Sequence, residues 1–332
     1  MNTVCCFGEA LIDFHGSTAG SAPVFTAHPG GAPANVAVAV ARLGGHAMFV
    51  GMLGSDAFGD LLLRGMSAAG VDTGHTRRTD AANTALAFVS HSPEGERDFT
   101  FYRPPSADLL FRDGDFDPAI FDAGTIFHAG SCSMTEPDSA ATTLQGMSHA
   151  RDAGALVSYD MNLRPPLWPR GEDPAPTIWG ALELADFVKL SAEELAFLAA
   201  SCDGGDAVFA RLWNAHAELV VITDGERAVR WFTRGSTGLG HTFPARAVDT
   251  TGAGDAFVGG CLYQFAKAGL DAAALSALAA DSARLESMLR FASACGALAV
   301  TRAGSFVAMP TLAEVHTFLQ CNGAPSKLVR SP

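Results

Sequence analysis

Asp249-Thr250-Thr251-Gly252-Ala253-Gly254-Asp255 runs directly into the apolar stretch Ala256-Phe257-Val258-Gly259-Gly260-Cys261-Leu262. A small-residue turn that opens a helix gathers several unpaired backbone N–H groups at the positive end of the helix dipole. Such a turn is a site for an anion, and phosphate fits it. Asp255 then falls in the first helical turn, beside the anion. A carboxylate adds little to anion binding there. It suits a base that takes a proton from a hydroxyl attacking phosphorus. The same residues also suit an ordinary helix behind a glycine turn, so the motif gains meaning from the chain around it.

The chain has 332 residues, 48% of them hydrophobic and 17% charged. These proportions suit one large α/β domain, or a domain with an appendage, and a substantial core. The formal net charge is −13 and there is no run of Lys and Arg. That argues against nucleic acid and anionic membrane surfaces as main partners. An anionic nucleotide stays compatible, because a local nest of N–H groups can hold one. Met1-Asn2-Thr3 lacks the basic start of a signal peptide, and the first apolar run carries Glu9 and Asp13. No apolar run is long enough for a membrane span. The seven cysteines form no C-x-x-C pair and read as reduced thiols of a cytoplasmic protein.

Val4 to Leu11 reads as a buried first strand, and Asp13 as a turn residue or as a hydroxyl binder at a strand's C-terminal edge. Gly30-Gly31-Ala32-Pro33-Ala34-Asn35 opens a small-residue helix that closes at Gly44-Gly45. The paired glycines allow a ligand close to the backbone, or serve tight helix–sheet packing. Phe49 to Gly54 is a strand, Asp60 to Ala69 a helix, and Gly70-Val71 begins a third strand region. Residues 84–89 and 97–102 alternate as strands around the turn Pro93-Glu94-Gly95-Glu96. With 12–29 they suit a small sheet over a site, or a solvated decoration. Strands at 125–130, 156–160, 187–190 and 219–223 then alternate with helices, and a hairpin at 228–243 leads back to the central motif. Asp160 to Trp168 leaves its strand as a proline-stiffened loop, where Arg164 is either a surface residue or a phosphate counter-charge. Ser191-Ala192-Glu193-Glu194 is a capping box. The C-terminal third reads as packed Ala-rich helix. This alternation predicts an α/β fold with a mostly parallel sheet and helices on both faces.

Two separated stretches carry a family resemblance. One is Gly30 to Asn35 with Gly44, Gly51, Gly54 and Asp56-Ala57-Phe58-Gly59. The other is Asp249 to Asp255 with its helix. In this order, on this β/α pattern, the chain resembles the PfkB (ribokinase-like) sugar kinases over essentially its whole length, and within them the fructokinases most. Phe101 to Asp108, Asp160 to Trp168 and Lys189 to Leu195 are similar to stretches typical of that branch. The resemblance implies a ribokinase-like three-layer αβα sandwich. Residues 1–11, 30–75 and 106–332 would form the core, and 12–29 and 76–105 a β lid. No GxxxxGK[ST] P-loop is present.

The resemblance implies an ATP-dependent phosphotransferase, D-fructose plus MgATP giving D-fructose 6-phosphate plus ADP. In it Asp255 is the base, and Gly252, Ala253 and Gly254 give the N–H groups. Asp13, Gly31 and Asn35 contact sugar hydroxyls, while Arg103 and Arg164 border the sugar and the phosphate in flight. Thr223 and Gly225 lie against the nucleotide. Glu194 belongs to an Asn-x-x-Glu element associated with Mg²⁺, in which Ser191 here replaces Asn. Asp249 and Thr251 match the start of a monovalent-cation loop, which adds K⁺ as an optional ion. The lid edge leaves room for a homodimer. A same-class alternative is 2-keto-3-deoxygluconate kinase, which shares the arginine positions. The pattern Phe-x-Phe-Tyr-Arg at 99–103 favours fructose, since a tyrosine in place of Phe101 would suit a sugar acid. An alternative of another class is a non-catalytic sugar- or nucleotide-binding regulator, against which the intact Asp255 motif weighs.

Overall fold

The computed structural model describes residues 1–17, 24–91 and 97–323, so the Pro93–Glu96 turn lies outside the described residues. Its strands are β1 (Thr3–Phe7), β2 (Leu11–Ser17), β3 (Val24–Gly30), β4 (His46–Gly54), β5 (Thr76–Thr79), β6 (Leu86–His91), β7 (Arg97–Tyr102), β8 (Thr125–Gly130), β9 (Leu156–Asp160), β10 (Phe187–Ser191), β11 (Leu219–Asp224), β12 (Arg227–Phe232) and β13 (Thr237–Gly240). Its α-helices are α1 (Ala32–Arg42), α2 (Ala57–Ala68), α3 (Pro137–Asp152), α4 (Ala175–Leu182), α5 (Ala192–Ala200), α6 (Gly205–Asn214), α7 (Ala253–Ala268), α8 (Ala272–Ala279), α9 (Ser282–Ala299) and α10 (Leu312–Cys321). No helix among the described residues is long and apolar enough to cross a membrane.

The large sheet has nine strands in the order β13-β12-β11-β10-β9-β8-β1-β4-β5. It is parallel from β11 to β5, and the hairpin β12–β13 adds an antiparallel edge. Central strands covered on both faces read as continuous apolar runs, and each strand divides its residues between two cores. Val4 and Cys6 pack on one side with α1, α2 and α7 to α10. Cys5 and Phe7 pack on the other with α3 to α6. This is the three-layer αβα arrangement.

A second sheet has four strands in the order β3-β2-β6-β7. Two expectations change here. The chain leaves the large sheet at Gly8, whose φ of 144° only glycine adopts freely and where a Cβ would come within 2.7 Å of Pro33. Asp13 therefore stands on β2 of the small sheet, not at the end of the first core strand. The third core strand is regular only at Thr76–Thr79, which pairs in parallel with Gly51–Gly54. The small-sheet segment thus starts after Thr79, not at 76, because β4 offers an open edge in register.

Asp56 ties the two sheets together. It caps α2, its Oδ1 accepting from the N–H groups of Phe58 at 3.0 Å and Gly59 at 2.8 Å. It also accepts from the Thr84 hydroxyl at 2.9 Å and, through Oδ2, from the Thr84 N–H at 2.7 Å, just before β6. Asp56→Ala loses a helix cap and leaves Thr84 without its acceptor. Chemical denaturation is expected to show a loss of roughly 1–3 kcal/mol; an unchanged midpoint and slope would refute the linking role.

Candidate active site

The turn before α7 builds the anion site. Gly252 is the N-cap in the left-handed conformation, φ 76°, with no side chain capping the helix. The N–H of Ala253 turns back onto the Thr250 carbonyl at 3.3 Å. Gly252 and Gly254 line the cleft and Ala253 does not, so Ala253 shapes the nest by its position.

Asp255 follows in the first turn and is 8% exposed. Its Oδ2 accepts from the Asn35 amide Nδ2 at 2.7 Å. An ionised carboxylate has no proton to donate, so the amide orientation is forced. Asn35 then presents its Oδ1, which is buried and has no partner. A buried acceptor in that state suits a ligand hydroxyl. Burial pushes the Asp255 carboxyl up to about 6. Asp160 adds to the rise, while the Asn35 bond and the Arg164 and Lys189 charges oppose it.

The cleft in front of Asp255 has a volume of about 740 Å³ and includes Asp13, Gly31, Asn35, Arg103, Arg164, Glu194, Thr251, Gly252 and Gly254 in its lining. Asp13 reaches it from the small sheet. Its carboxyl is raised to about 7 by burial, then by repulsion from Asp255 and Asp249. Arg103 is paired with Asp108: its side chain is 2% exposed, its Nε donates to Asp108 Oδ2 at 2.7 Å, and Nη1 lies 3.4 Å from Thr135 Oγ1, while Nη2 is buried without a hydrogen bond of its own. Arg164, in contrast, is exposed at the mouth and among the described residues bonds its neighbour's carbonyl, Leu163 O, at 3.2 Å.

Glu194 does the work of the capping box. Its Oε2 accepts from the Ser191 N–H at 2.6 Å, its Oε1 from the Leu163 N–H at 2.8 Å, and the Ser191 hydroxyl accepts from the Glu194 N–H at 3.1 Å. It thereby clamps the 160–168 loop to α5 at the edge of the cleft. Burial raises its carboxyl, with Lys189 opposing. Asp249 is 4% exposed, accepting from Thr251 N at 2.8 Å and from Gly304 N at 3.1 Å. It pins the start of the nest to the turn after α9. Thr223 and Gly225 do not line this cleft. Thr223 lies next to the end of β11 in register with Ser191, and Gly225 turns the chain into β12 at φ 56°.

Two cleft residues were missed in the sequence. Lys189 lies in β10 and is 6% exposed, with its Nζ 3.0 and 3.2 Å from the two Asp160 oxygens. Burial lowers its pKa, but Asp160, Glu194 and Asp255 outweigh that and hold it above the ordinary lysine value. A Cβ on Gly254 would lie 3.4 Å from Nζ, which puts a buried cation beside the anion nest. A lysine inside Phe187-Val188-Lys189-Leu190 was the available signal, since a buried charge needs a partner. Glu9 is the other. It is 3% exposed, holds Ala32 N through Oε1 at 3.1 Å, and its Oε2 has no partner.

Comparison with known proteins agrees with this geometry. The chain is 43% identical over 330 residues to probable fructokinase-4 of Arabidopsis thaliana, covering 96% of this chain and 97% of that one. A solved fructokinase with bound ATP from Xylella fastidiosa is 52% identical, with a TM-score of 0.93 over 96% of this chain and 98% of that one. A double mutant of the fructokinase of Vibrio cholerae O395, solved with fructose, ADP and potassium ion, is 32% identical with a TM-score of 0.85, over 96% and 98%. The profile of the pfkB family carbohydrate kinases matches residues 1–312, and with a buried aspartate set behind a glycine nest at its centre the chain belongs to that family.

Proposed function

We propose that the protein is an ATP-dependent fructokinase, converting D-fructose and MgATP to D-fructose 6-phosphate and ADP. The observation that carries this reading is the meeting, in one cleft, of Asp255, the Gly252–Gly254 nest and the free Oδ1 of Asn35. The relatives at 52% and 43% identity are both named fructokinases. In the proposed reaction a sugar hydroxyl held by Asn35 and Asp13 attacks the γ-phosphorus in line. Its proton passes to Asp255 while the bond from phosphorus to the β-bridging oxygen breaks. The N–H groups of Gly252 and Gly254, with Lys189 and Arg164, offset the charge on the phosphoryl oxygens. Thr223 and Gly225, beyond the sugar cleft on the same strand ends, are the proposed nucleotide contacts.

Mg²⁺ arrives with the nucleotide in this reading. Both Glu194 oxygens already accept backbone N–H groups, and no cluster of three His, Cys, Asp or Glu among the described residues could hold a metal ion. Glu194 thus fits a role through metal-bound water, as Mg²⁺ keeps several waters and uses few carboxylates. Bound Mg²⁺ would supply charge neutralisation at the phosphates. The Asp249–Thr251 loop, anchored to Gly304, is the proposed K⁺ site.

The small sheet is the proposed lid: it carries Asp13 and Phe101 into the cleft. Its Phe25 and Tyr102 are exposed at 48% and 64% and meet on one face through the Phe88 ring, and this apolar face supports a lid-to-lid homodimer. A neutral sugar fits better than a sugar acid. The Arg103 charge is paired with Asp108 and Phe101 offers no hydrogen-bond donor, which leaves Arg164 as the cleft arginine without a carboxylate partner among the described residues.

An ATP-turnover assay on purified Asp255→Asn is expected to show a loss of roughly 10²–10⁴ in kcat, the scale of a missing general base. The variant should keep its fold by circular dichroism. Near-normal turnover would remove Asp255 from the role of base.

Acid should inactivate the enzyme near neutrality. Asp255 must be ionised to accept a proton, and its carboxyl sits at about 6 beside Asp13 at about 7. The profile of kcat/KM against pH should fall below pH about 6–7, with apparent values that belong to the carboxylates together. Stability should run the opposite way. Glu9, Asp13 and Asp255 are raised from 4.5, 3.8 and 3.8 to about 7, 7 and 6. The folded ligand-free state therefore binds more protons than the unfolded state between those values, and stability is lost as pH rises through them. A Tm that climbs from pH 5 to pH 8 would contradict this.

In a coupled ADP-release assay, kcat/KM for fructose should exceed that for 2-keto-3-deoxygluconate by at least about tenfold, or ~1.4 kcal/mol. A preference for the keto-acid would overturn the choice of substrate and leave phosphoryl transfer standing.

A further inference from the structure

Asn162 lines the catalytic cleft on the loop that leaves β9, and it is 8% exposed. Among the described residues it alone, glycine apart, has a positive φ, of 40°. Asparagine tolerates that region, where its side chain ordinarily bonds the nearby backbone. Here other groups hold the backbone. The Met161 N–H donates to the Lys189 carbonyl at 3.2 Å, the Asn162 N–H to Asp160 Oδ1 at 3.2 Å, and the Leu163 N–H to Glu194 Oε1 at 2.8 Å. The Asn162 carbonyl accepts from the Cys132 thiol at 3.7 Å. The carboxamide takes no part in this. It makes no hydrogen bond among the described residues, and neither of its polar atoms is sealed from solvent. A glycine would turn the chain with less strain, so the turn alone does not account for an asparagine. A strained residue whose backbone is fixed by its neighbours, with an unused amide open on the cleft, calls for a ligand partner.

We propose that the Asn162 carboxamide is a further contact to the phosphoryl group in transfer, its Nδ2 donating to a phosphoryl oxygen. This rests on the kinase reading of the cleft. Placement decides for the phosphoryl group over the sugar. Asp160 Oδ1 accepts from the Asn162 N–H and also from Lys189 Nζ at 3.0 Å, and a Cβ on Gly254 would lie 3.4 Å from that Nζ. The next residue, Leu163, is held by Glu194, and Arg164 follows it. Asn162 therefore stands on the wall that carries the buried cation beside the nest, the carboxylate proposed to meet Mg²⁺ through water, and the arginine at the mouth. Asp13 and Asn35, the proposed sugar contacts, come from β2 and α1.

Lys189 and Arg164 bring charge to that wall, and a neutral N–H adds a fixed direction. The equatorial phosphoryl oxygens share the charge in the transition state. A donor aimed at one of them acts on kcat more than on the KM for fructose. Aspartate keeps the shape of asparagine and tolerates the same backbone, but its ionised form offers the phosphoryl oxygens only acceptors.

The test compares the full-length protein with Asn162→Gly, which keeps the turn and removes the amide, and Asn162→Asp, which keeps the shape and removes the donor. In steady-state turnover Asn162→Gly is expected to lose roughly tenfold or more in kcat, with the fructose KM within about threefold of wild type, and Asn162→Asp to lose more. Asn162→Asp also covers the case in which Asn162→Gly folds poorly. Calorimetry reads the same contact without turnover. In the presence of Mg²⁺, Asn162→Gly should bind β,γ-methylene-ATP several-fold more weakly than wild type and bind ADP equally well. Near-normal kcat in either variant would leave Asn162 a turn residue and overturn the proposal. A raised fructose KM with kcat intact would move the contact to the sugar and overturn it too, as would an equal loss of affinity for ADP and the analogue. A wild type that outbinds Asn162→Gly for the analogue alone, yet phosphorylates no sugar, would sink the kinase reading and keep the phosphoryl contact.

Discussion

Backbone-close packing of three helices sets the geometry on which the cleft depends. A Cβ on Gly259 would come within 2.5 Å of the Ala39 Cβ, and one on Gly260 within 2.8 Å of the Ala292 Cα. Helix α7 is thus pressed against α1 on one side and α9 on the other, with no side chain to spare at either contact. This closeness lets Asn35, one turn into α1, reach Asp255, one turn into α7, at 2.7 Å across 220 residues of sequence. A bulkier residue at either glycine would push the two helix starts apart, and the hydrogen bond that aims Asp255 would be lost before any catalytic residue was changed.

Charge is the second constraint. Glu9, Asp13 and Asp255 are all less than a tenth exposed and face one cleft. Burial raises each of them, and mutual repulsion adds to it for Asp13. The cations are not spread evenly in answer. Arg103 is spent on Asp108 and Lys189 on Asp160, which leaves Arg164 at the mouth. A ligand that brings hydroxyl donors to the carboxylates and phosphate to the nest satisfies both sets at once. The free cleft is therefore a place of stored electrostatic cost, in keeping with perturbed carboxyls at sites of chemistry.

Much of the fold was legible in the sequence, for a local reason. Strands buried on both faces are apolar almost throughout, and Leu219 to Ile222 reads that way, as does Phe187 to Leu190 apart from Lys189. Amphipathic helices between them then compel a parallel sheet with two covered faces. The anion nest was legible for the same reason, since a glycine turn that opens a helix is written in consecutive residues. The errors fell where pairing decides. Thr76–Thr79 has no strong strand pattern and is a core strand only because β4 offers it an edge. The Ala253 N–H looked free, but the turn folds it back onto Thr250.

What the sequence by itself determined is the α/β class, the order of its elements, and the nest with Asp255 behind it. Each depends on residues within one turn or one strand of each other. Only the tertiary structure decided that Arg103 is neutralised by Asp108, that Glu194 clamps the 160–168 loop, and that Lys189 stands beside the nest. Burial and charge pairing depend on what distant segments bring within a few ångströms, and periodicity along the chain carries no record of that distance.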